Sequence, residues 1–289
     1  MRDSNLGEKE DSRFRELAQV LRDLGRVMVA FSGGADSSFL AWVATDVLGT
    51  DRAQAVTAVS PSLAASERRA CSELAAGWGL RWREVATCEM ERPEYRRNSG
   101  DRCYYCKDAL IDALEPLARR EAATVVLGVN IDDLADHRPG QRAAAARGAR
   151  FPLVDAGFTK EMIRSESRRL GLVTWDKPAA PCLASRIPYG TEVSLGVLRR
   201  VEVAERRIRQ LGFVDLRVRH YGDLARVEVP LVDLPRLLDS RTAVEAAARS
   251  AGYRRVTLDP AGLRSGNLND ALTTDRAASD GSRWQPLEA

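Results

Sequence analysis

Residues 32–37 have the composition of a phosphate-binding turn. They read Ser-Gly-Gly-Ala-Asp-Ser and directly follow an apolar run at residues 27–31. Glycines let backbone N–H groups come close to phosphate oxygens, and the free N–H groups at a helix N-terminus favour negative charge. Because the residues after Ser37 have the character of a helix, this segment predicts a strand, a turn and a helix that together bind nucleotide phosphates.

The turn resembles the SGGxDS loop of enzymes that split ATP into AMP and pyrophosphate. A Walker-type loop is excluded, because it needs Lys followed by Ser or Thr after the second glycine. An ordinary glycine-rich turn with a serine cap is the alternative. The resemblance implies that Asp36 lies near the phosphates and their Mg²⁺. The predicted ATP-binding residues of the loop are Ser32, Gly33, Gly34, Asp36 and Ser37.

Alternating apolar strands and helices predict an α/β fold with a parallel sheet and helices on both faces. The predicted strands are 27–31, 53–59, 81–85 and 124–128. The predicted helices are 66–78, 107–119 and one that starts near residue 11, after a disordered lead at 1–10. Ligands bind at the carboxyl ends of such strands, so the loops after residues 31, 59 and 128 should meet at one site. This adds Ser60 and Gly128 to the predicted nucleotide site.

Three aspartates crowd the end of the fourth predicted strand, within residues 128–140. Neighbouring carboxylates are unfavourable unless a cation or a basic group neutralises them, and Mg²⁺ carried by ATP would do so. An acidic, solvated helix N-terminus is the alternative. The position at a strand end favours function, and His137 is expected on the surface. The predicted nucleotide ligands are Asn130, Asp132 and Asp133, with Asp36 and Asp133 as ligands of Mg²⁺.

Five cysteines favour metal ligands or reactive thiols over a set of structural disulfides. Cys103 and Cys106 have a C-x-x-C spacing, which allows two thiolates to share one metal or cluster. No second such pair follows, so a closed four-cysteine zinc site is excluded. A redox dithiol and two unrelated half-buried cysteines are the alternatives.

Cys182 lies in an irregular, proline-rich segment beside Lys177 and Arg186. Nearby cations lower the pKa of a thiol, as a nucleophile or a cluster ligand requires, whereas an inert buried cysteine is the alternative. Cys71 is expected in the core and Cys88 in a loop, and neither is assigned a role.

Composition sets the class of protein. The chain has 289 residues, of which 44% are apolar and 29% charged, and no apolar stretch has the length of a bilayer span. A net charge of +3 does not indicate a nucleic-acid partner. The polar N-terminal residues lack the apolar segment of a signal peptide. We therefore expect a cytoplasmic protein with no membrane or nucleic-acid partner.

A second, smaller α+β domain is predicted after the proline-rich segment at 175–181. Its predicted elements are helices 195–211 and 231–250 and strands 216–219, 226–229 and 253–258. The expected organisation is a nucleotide domain at 1–178, a linker carrying Cys182 at 179–190, a second domain at 191–268 and a flexible tail at 269–289.

These motifs together resemble the LarE family, ATP-dependent sulfur transferases that make the nickel-pincer nucleotide cofactor of lactate racemase. Nearly the whole chain fits, and the segments that carry the resemblance are 32–37, 128–140, 181–190, 217–219 and 262–267. The resemblance implies a PP-loop (adenine nucleotide hydrolase-like) domain plus a small α+β domain, with ATP and Mg²⁺ as cofactors. It also implies a homo-oligomer such as a hexamer. The implied substrate is a pyridinium mononucleotide whose two carboxylates are adenylated and converted to thiocarboxylates.

The resemblance also implies roles for individual residues. Cys182, Asp36 and Arg186 are expected to act in catalysis, and the expected substrate-binding residues are Ser185, Arg217, Arg219, Arg264 and Glu205. Glu205 and Glu228 would hold a metal or orient the arginines. A solvated surface charge is the alternative for each charged residue in this set.

Cys103, Cys106 and Cys182 match the family members that bind an iron–sulfur cluster through three cysteines. Three thiolates on a [4Fe–4S] cluster leave one iron open, where exogenous sulfide can bind. Members that have the linker cysteine alone are thought to give up its sulfur and to become dehydroalanine. We expect the cluster route, with sacrifice of Cys182 as the alternative.

Three other functions stay open at this point. A tRNA thiolase of the same loop type is disfavoured by the small net charge and by the lack of an RNA-binding module. An amide-forming ATP pyrophosphatase, such as an NAD or GMP synthetase, has no use for the three cysteines. A non-catalytic nucleotide sensor with a structural metal is disfavoured by Asp36 together with the acidic loop.

Overall fold

The computed structural model describes residues 2–134 and 139–264. Two compact units make up the chain. The first comprises Met1–Tyr95 and Asp101–Pro181, and the second comprises Arg96–Gly100 and Cys182–Ala289. The expected tail at 269–289, residues 265–267 of the matching segment, and Asp136 and His137 all lie outside the described residues.

The first unit is built on a parallel sheet, as the sequence predicts. Among the described residues its strands are β1 (Val27–Ala30), β2 (Ala53–Val59), β3 (Trp82–Ala86) and β4 (Thr124–Leu127). Their order across the sheet is β3-β2-β1-β4, with every pairing parallel. The direction of strand addition reverses between β1 and β4, and in such sheets a ligand crevice opens where this reversal occurs.

Helices cover both faces of this sheet. Up to residue 169 they are α1 (Arg2–Leu24), α2 (Ala35–Leu48), α3 (Ala65–Gly77), α4 (Pro93–Arg96), α5 (Arg102–Glu121), α6 (Pro139–Ala146), α7 (Pro152–Asp155) and α8 (Lys160–Arg169). Val27 and Val29 pack into one apolar cluster with α1, α2 and α8, whereas Met28 packs into a second cluster with α5. The alternation follows from the period of two along a strand. None of the helices in the described residues is long and apolar enough to cross a membrane.

Two helices of the first unit begin earlier than predicted. The lead expected to be disordered is helical from Arg2. It is rich in Glu, Lys and Arg, which are good helix formers, and has no proline to stop a helix. Helix α5 begins at Arg102 rather than at residue 107, so Cys103 and Cys106 lie in its first turn and not in a loop.

The second unit has a small mixed sheet. In the described residues its strands are β5 (Arg217–Tyr221), β6 (Leu224–Glu228) and β7 (Arg255–Leu258), and its helices are α9 (Leu195–Gln210), α10 (Leu234–Asp239) and α11 (Arg241–Ser250). Strands β5 and β6 pair antiparallel, and β6 and β7 pair parallel. Its apolar core is formed by one face of α9 and α11 against this sheet.

The single helix predicted at 231–250 is wrong. A 3-10 turn at Leu231–Asp233 precedes α10, and Ser240 separates α10 from α11. Proline lacks a backbone N–H and is favoured in the first turn of a helix, where Pro235 lies in α10. Ser240 follows α10 and precedes α11: its N–H donates to the Arg236 carbonyl, and its own carbonyl accepts from the Val244 N–H, both at 3.0 Å.

Asn98 fixes a loop of the second unit. Its side chain is fully buried, and its backbone has a left-handed φ of 58°. The amide Nδ2 donates to the carbonyl oxygens of Ile187, Pro188 and Thr191 at 3.3, 2.7 and 2.8 Å. The Gly190 N–H donates to the Asn98 carbonyl at 3.0 Å. The segment Arg96–Gly100 therefore belongs to the second unit through hydrogen bonds that only a buried amide in this position provides.

We predict that Asn98→Gly destabilises the loop at residues 187–193 by about 2–4 kcal/mol, because buried carbonyls lose their donor while glycine keeps the left-handed backbone. Hydrogen exchange of a peptide covering this loop measures the effect. Asn98→Asp should be at least as harmful, since a carboxylate offers acceptors where donors are needed. Unchanged protection in both variants would contradict this prediction.

Candidate active site

The turn at residues 32–37 leads from β1 into helix α2. Gly34 caps the helix with extended backbone, and its carbonyl accepts from the Ser38 N–H at 2.9 Å. The Ser37 hydroxyl lies 3.0 Å from the Ser32 hydroxyl and donates to the Gly34 carbonyl at 3.2 Å. The two serines therefore close the turn from either side. The first N–H groups of a helix have no partner within the helix, so the start of α2 has the geometry that the predicted phosphate loop requires.

Gly33 rests directly on helix α3. Its φ is +68°, and a Cβ atom placed there would lie 2.9 Å from the Cys71 Sγ. Cys71 is fully buried, which confirms its predicted place in the core, and burial raises the pKa of its thiol. Both the backbone conformation and the lack of space require glycine at this position.

Gly128 allows the end of β4 to touch the first turn of α2. A Cβ atom at Gly128 would lie 2.8 Å from the Ser37 backbone nitrogen and 2.9 Å from the Asp36 carbonyl carbon. Because the obstructing atoms belong to the backbone, no side-chain rotation can make room. This close approach brings the predicted acidic loop to the predicted phosphate loop, as expected for loops at the carboxyl edge of one sheet.

Asn130 and Asp133 hold the acidic loop in shape. The Asn130 N–H donates to the Asp133 carboxylate at 3.3 Å, and the Asp133 N–H donates to the Asn130 side-chain oxygen at 3.1 Å. Asp132 is placed differently, because its carboxylate accepts from the Lys160 N–H at 2.7 Å, where helix α8 begins. Thus Asp133 is buried beside the phosphate loop, whereas Asp132 is exposed and supports a neighbouring helix.

The electrostatics single out Asp36. Burial raises the pKa of its carboxyl group, and the charge of Asp133 raises it further, while Lys160 and Arg164 act in the opposite direction. Within the described residues the Asp36 Oδ1 atom is buried and has no hydrogen-bond partner. Two carboxylates, one of which has an oxygen without a hydrogen-bond partner, suit Mg²⁺. In nucleotide sites this ion uses one or two carboxylates plus phosphate oxygens. The residues present therefore fit the predicted ion.

Ser60 occupies the predicted edge of the sheet. It follows β2 immediately, and its hydroxyl accepts from the Ser62 N–H at 3.1 Å. Since β2 lies next to β1, Ser60 is at the same edge as the phosphate loop.

In the second unit, arginines and glutamates form a buried cluster. Arg186 pairs with Glu205 at 2.8 Å, and Arg219 pairs with Glu228 at 2.9 Å. Both glutamates are fully buried, so each guanidinium has a partner away from water. The Arg219 guanidinium also donates to the Ser185 carbonyl at 2.8 Å, and the Arg186 guanidinium to the Ser185 hydroxyl at 3.0 Å.

Arg217 is the least compensated cation of this cluster. It is 7% exposed, and its guanidinium donates to the Arg264 carbonyl at 3.2 Å. Burial lowers its pKa, and the charges of Arg186 and Arg219 lower it further. In the described part of the chain no carboxylate lies within ion-pair distance of Arg217. A buried guanidinium in this state favours an anionic ligand. Arg264 itself contributes its carbonyl to this contact.

Glu205 and Glu228, which were predicted to hold a metal or to orient arginines, contact arginines in the structure. Both carboxylates accept from guanidinium groups, and Glu205 also accepts from the Val218 N–H at 3.1 Å. Their observed contacts are therefore those of groups that orient arginines.

Cys103 and Cys106 lie three residues, or about one turn, apart at the start of α5. Cys103 is exposed and Cys106 is partly buried. Gly140 permits α6 to lie against this turn, since a Cβ atom at Gly140 would be 2.7 Å from the Cys103 carbonyl oxygen. In the ranges that the structure describes, no three His, Cys, Asp or Glu side chains form a ready metal site.

Cys182 belongs to the second unit and is exposed. It precedes the 3-10 turn Leu183–Arg186, and the Arg186 guanidinium donates to its carbonyl oxygen at 3.3 Å. Lys177, predicted beside this thiol, donates instead to the Gly33 carbonyl and to Glu67. Cys88 is exposed just before the 3-10 turn Glu89–Glu91.

The contacts of four residues were not predicted from the sequence. Lys160 and Arg164 act on the Asp36 carboxylate through their charge, Lys177 contacts the phosphate loop, and Asn98 holds the loop after Arg186. A partial signal was present for the first two: Thr159 is a typical helix cap, and cations four residues apart lie on one face of a helix. The others depend on contacts between segments far apart in sequence.

Comparison with known proteins supplies the family. The chain is 37% identical to the pyridinium-3,5-bisthiocarboxylic acid mononucleotide synthase of Lactiplantibacillus plantarum, over 91% of this chain and 96% of that protein. The chain belongs to the LarE family. It is also 43% identical to an uncharacterised protein of Synechocystis sp., over 91% of this chain and 99% of the relative. An uncharacterised protein of Methanocaldococcus jannaschii is 24% identical over 81% of this chain and 89% of its own length. No family model matches.

Membership of the LarE family makes the chain an ATP-dependent enzyme and excludes the non-catalytic nucleotide sensor. The match extends over both units, so it applies to the arginine cluster as well as to the phosphate loop.

We predict that Gly128→Ala lowers the affinity for Mg·ATP at least about 10-fold, because the new methyl group must displace the backbone of Asp36 and Ser37. Isothermal titration calorimetry provides the measurement. Gly77→Ala is the matched control, since a Cβ atom there meets nothing within 4 Å. It should bind Mg·ATP like the wild type and be as stable or slightly more stable. Equal affinity of the two variants would refute the role given to Gly128.

Proposed function

We propose that this LarE-family chain is an ATP-dependent sulfur transferase that acts on a pyridinium-3,5-dicarboxylate mononucleotide. It adenylates the carboxylates, releases pyrophosphate and converts the acyl-adenylates to thiocarboxylates, in the synthesis of the nickel-pincer cofactor of lactate racemase. The observation that carries this proposal is the contact at Gly128, which brings the acidic loop with the buried Asp133 against the phosphate loop with the half-buried Asp36. The relative that is named as the bisthiocarboxylate synthase supplies the substrate class.

Adenylation follows from the site of the first unit. A substrate carboxylate oxygen attacks the α-phosphorus of ATP, the bond to the bridging oxygen breaks, and pyrophosphate leaves with the electron pair. The N–H groups at the start of α2 and the hydroxyls of Ser32 and Ser37 bind the phosphate oxygens as charge develops on them. Asp36 and Asp133 would hold Mg²⁺, which neutralises phosphate charge when it is bound.

Substrate binding is assigned to the arginine cluster of the second unit. The mononucleotide carries a phosphate and two carboxylates, and guanidinium groups bind such anions through paired hydrogen bonds. Arg217 supplies uncompensated charge, whereas Arg186 and Arg219 are pre-oriented by Glu205 and Glu228. Fixed orientation reduces the entropy that ordering these side chains would otherwise cost.

The sulfur source distinguishes two routes. In the proposed route Cys103, Cys106 and Cys182 would together hold a [4Fe–4S] cluster, which when bound would make exogenous sulfide available at the iron that has no cysteine ligand. The sulfide attacks the acyl carbon, AMP leaves, and the polypeptide is unchanged. In the alternative route the Cys182 thiolate makes this attack, after which loss of the Cα proton and cleavage of the Cβ–Sγ bond leave dehydroalanine. The exposure of Cys103 and Cys182 is compatible with either route.

The first test is the intact mass of anaerobically purified protein before and after incubation with ATP, Mg²⁺, sulfide and the dicarboxylated mononucleotide. We predict an unchanged polypeptide together with a thiocarboxylated product, because the sulfur comes from sulfide. Cys103→Ala and Cys106→Ala should each lose bound iron and product while still forming pyrophosphate. Loss of the elements of hydrogen sulfide from Cys182 in the wild type would establish the sacrificial route.

A second test concerns the substrate. Arg217→Met should weaken binding of the mononucleotide by about 10- to 100-fold, the range expected for lost hydrogen bonds to a charged group. The affinity for Mg·ATP alone should stay unchanged. Arg209→Met is the control, because Arg209 is a partly exposed arginine of the same unit that already has a carboxylate partner, Glu205. If both variants bind the mononucleotide as the wild type does, Arg217 has no part in substrate binding.

The assembly is proposed to be a homo-oligomer, as the family resemblance implies. Two apolar side chains of the second unit, Val214 and Val232, are 78% and 85% exposed. Their exposure supports a surface that another chain covers.

A further inference from the structure

Lys177 binds the phosphate loop from the side of a distant segment. It lies 144 residues from Gly33 in sequence, within the first unit. Its ammonium group donates to the Gly33 carbonyl oxygen at 3.0 Å and to the Glu67 carboxylate at 2.9 Å. Glu67 belongs to helix α3, the helix that also places Cys71 beneath Gly33. One glycine of the loop is thus held both by a charged hydrogen bond and by a packed thiol.

The peptide between Gly33 and Gly34 couples this contact to the anion site. A peptide group is planar and trans, so its carbonyl and its N–H point in opposite directions. When Lys177 holds the Gly33 carbonyl, the Gly34 N–H of the same peptide is directed away from Lys177. Glycines on both sides would otherwise let this peptide rotate at little cost. The hydrogen bond from Lys177 therefore selects one of the orientations that the two glycines permit.

Charge balance distinguishes this contact from direct binding of phosphate. The Lys177 ammonium is paired with the Glu67 carboxylate, and the two side chains are 22% and 27% exposed. A neutral pair contributes little net field at the phosphates, so its effect must come from the geometry of the loop. The other cations near Asp36, which are Lys160 and Arg164, act by their charge and lie on a different helix.

We propose that Lys177 is a positioning residue for the phosphate loop, with Glu67 orienting its ammonium group. The proposal rests on the proposed function, since it assigns these residues to ATP binding and pyrophosphate release. Lys177 acts through the Gly33 carbonyl and sets the direction of the Gly34 N–H. The segment that leads to Cys182 thereby contributes to the nucleotide site through a residue that is five positions earlier in the chain.

The test compares Lys177→Met, Lys177→Arg and Glu67→Gln with the wild type. Lys177→Met keeps the aliphatic stem but removes the donor, so the loop peptide is free to rotate. We expect the dissociation constant for inorganic pyrophosphate with Mg²⁺ to rise about 10- to 100-fold, as for loss of a charged hydrogen bond. The KM for ATP should rise and kcat for pyrophosphate release should fall. Lys177→Arg, which can still donate to the carbonyl, should retain most of the affinity.

Glu67→Gln separates positioning from direct phosphate binding. If Lys177 bound phosphate itself, removal of the competing carboxylate would strengthen the binding of pyrophosphate. If Lys177 acts through Gly33, loss of the orienting charge weakens binding, and this is the expected result. Arg68→Met is the matched control, since Arg68 lies next to Glu67 on helix α3 but pairs with Glu84 of strand β3 and not with the loop. It should bind pyrophosphate like the wild type.

Chemical rescue provides a measurement that would not change if the role of Lys177 were purely structural. Lys177→Ala should recover part of its pyrophosphate affinity when a small alkylammonium ion, such as propylammonium, is added. Wild-type affinity in Lys177→Met, or tighter binding in Glu67→Gln, would overturn the proposal. A wild type that binds pyrophosphate but forms none from ATP would contradict the proposed function instead. If Lys177→Met does not fold, Lys177→Arg and Glu67→Gln decide the matter in the same assays.

Discussion

The contact between Gly128 and the first turn of α2 is the constraint on which the nucleotide site depends. Backbone meets backbone there, at separations that leave no room for a methyl group. The contact forces Asp133 toward Asp36 in a buried setting, where like charges repel strongly. The charges of Lys160 and Arg164 offset part of this repulsion. In the function proposed above, Mg²⁺ bound with ATP would offset more of it.

The two units differ in the sign of the charge that they bring together at their sites. The first brings the carboxylates of Asp36 and Asp133 together next to the N–H groups at the start of a helix. The second buries guanidinium groups and compensates them only in part, with Glu205 and Glu228 fully buried beside their partners. The small net charge of the chain does not reveal this contrast, because it sums over all residues wherever they lie. What distinguishes the units is where charge is buried, and each arrangement suits a different ligand of one reaction.

Much of the fold could be predicted because its signals are local. The strand at Ala53–Val59 has the predicted limits, since an apolar run between turn residues defines a buried strand. The start of α5 could not be placed, because the first turn, with its exposed cysteines, has no apolar periodicity. The helix predicted at 231–250 failed at a serine whose role depends on the turn geometry.

The residues of the site could likewise be predicted where their position follows from the order of strands and loops. Asp36, Asn130 and Asp133 follow strands, so sheet topology alone brings them together. Lys177 and Asn98 make their contacts across 144 and about 90 residues of sequence. No periodicity or spacing encodes contacts of this kind, because they depend on how packed elements meet.

Because the segment Arg96–Gly100 belongs to the second unit, it is synthesised long before the rest of that unit. Asn98 belongs to the second unit, but its partners at Ile187, Pro188 and Thr191 follow about 90 residues later. At a synthesis rate of about 5–20 residues per second, roughly 5–18 seconds pass before those carbonyls leave the ribosome. During that interval Asn98 has been synthesised but the three carbonyl groups that accept from its amide have not. The hydrogen bonds that fix this loop can therefore form only after the whole chain of the first unit, which ends at Pro181, has been synthesised.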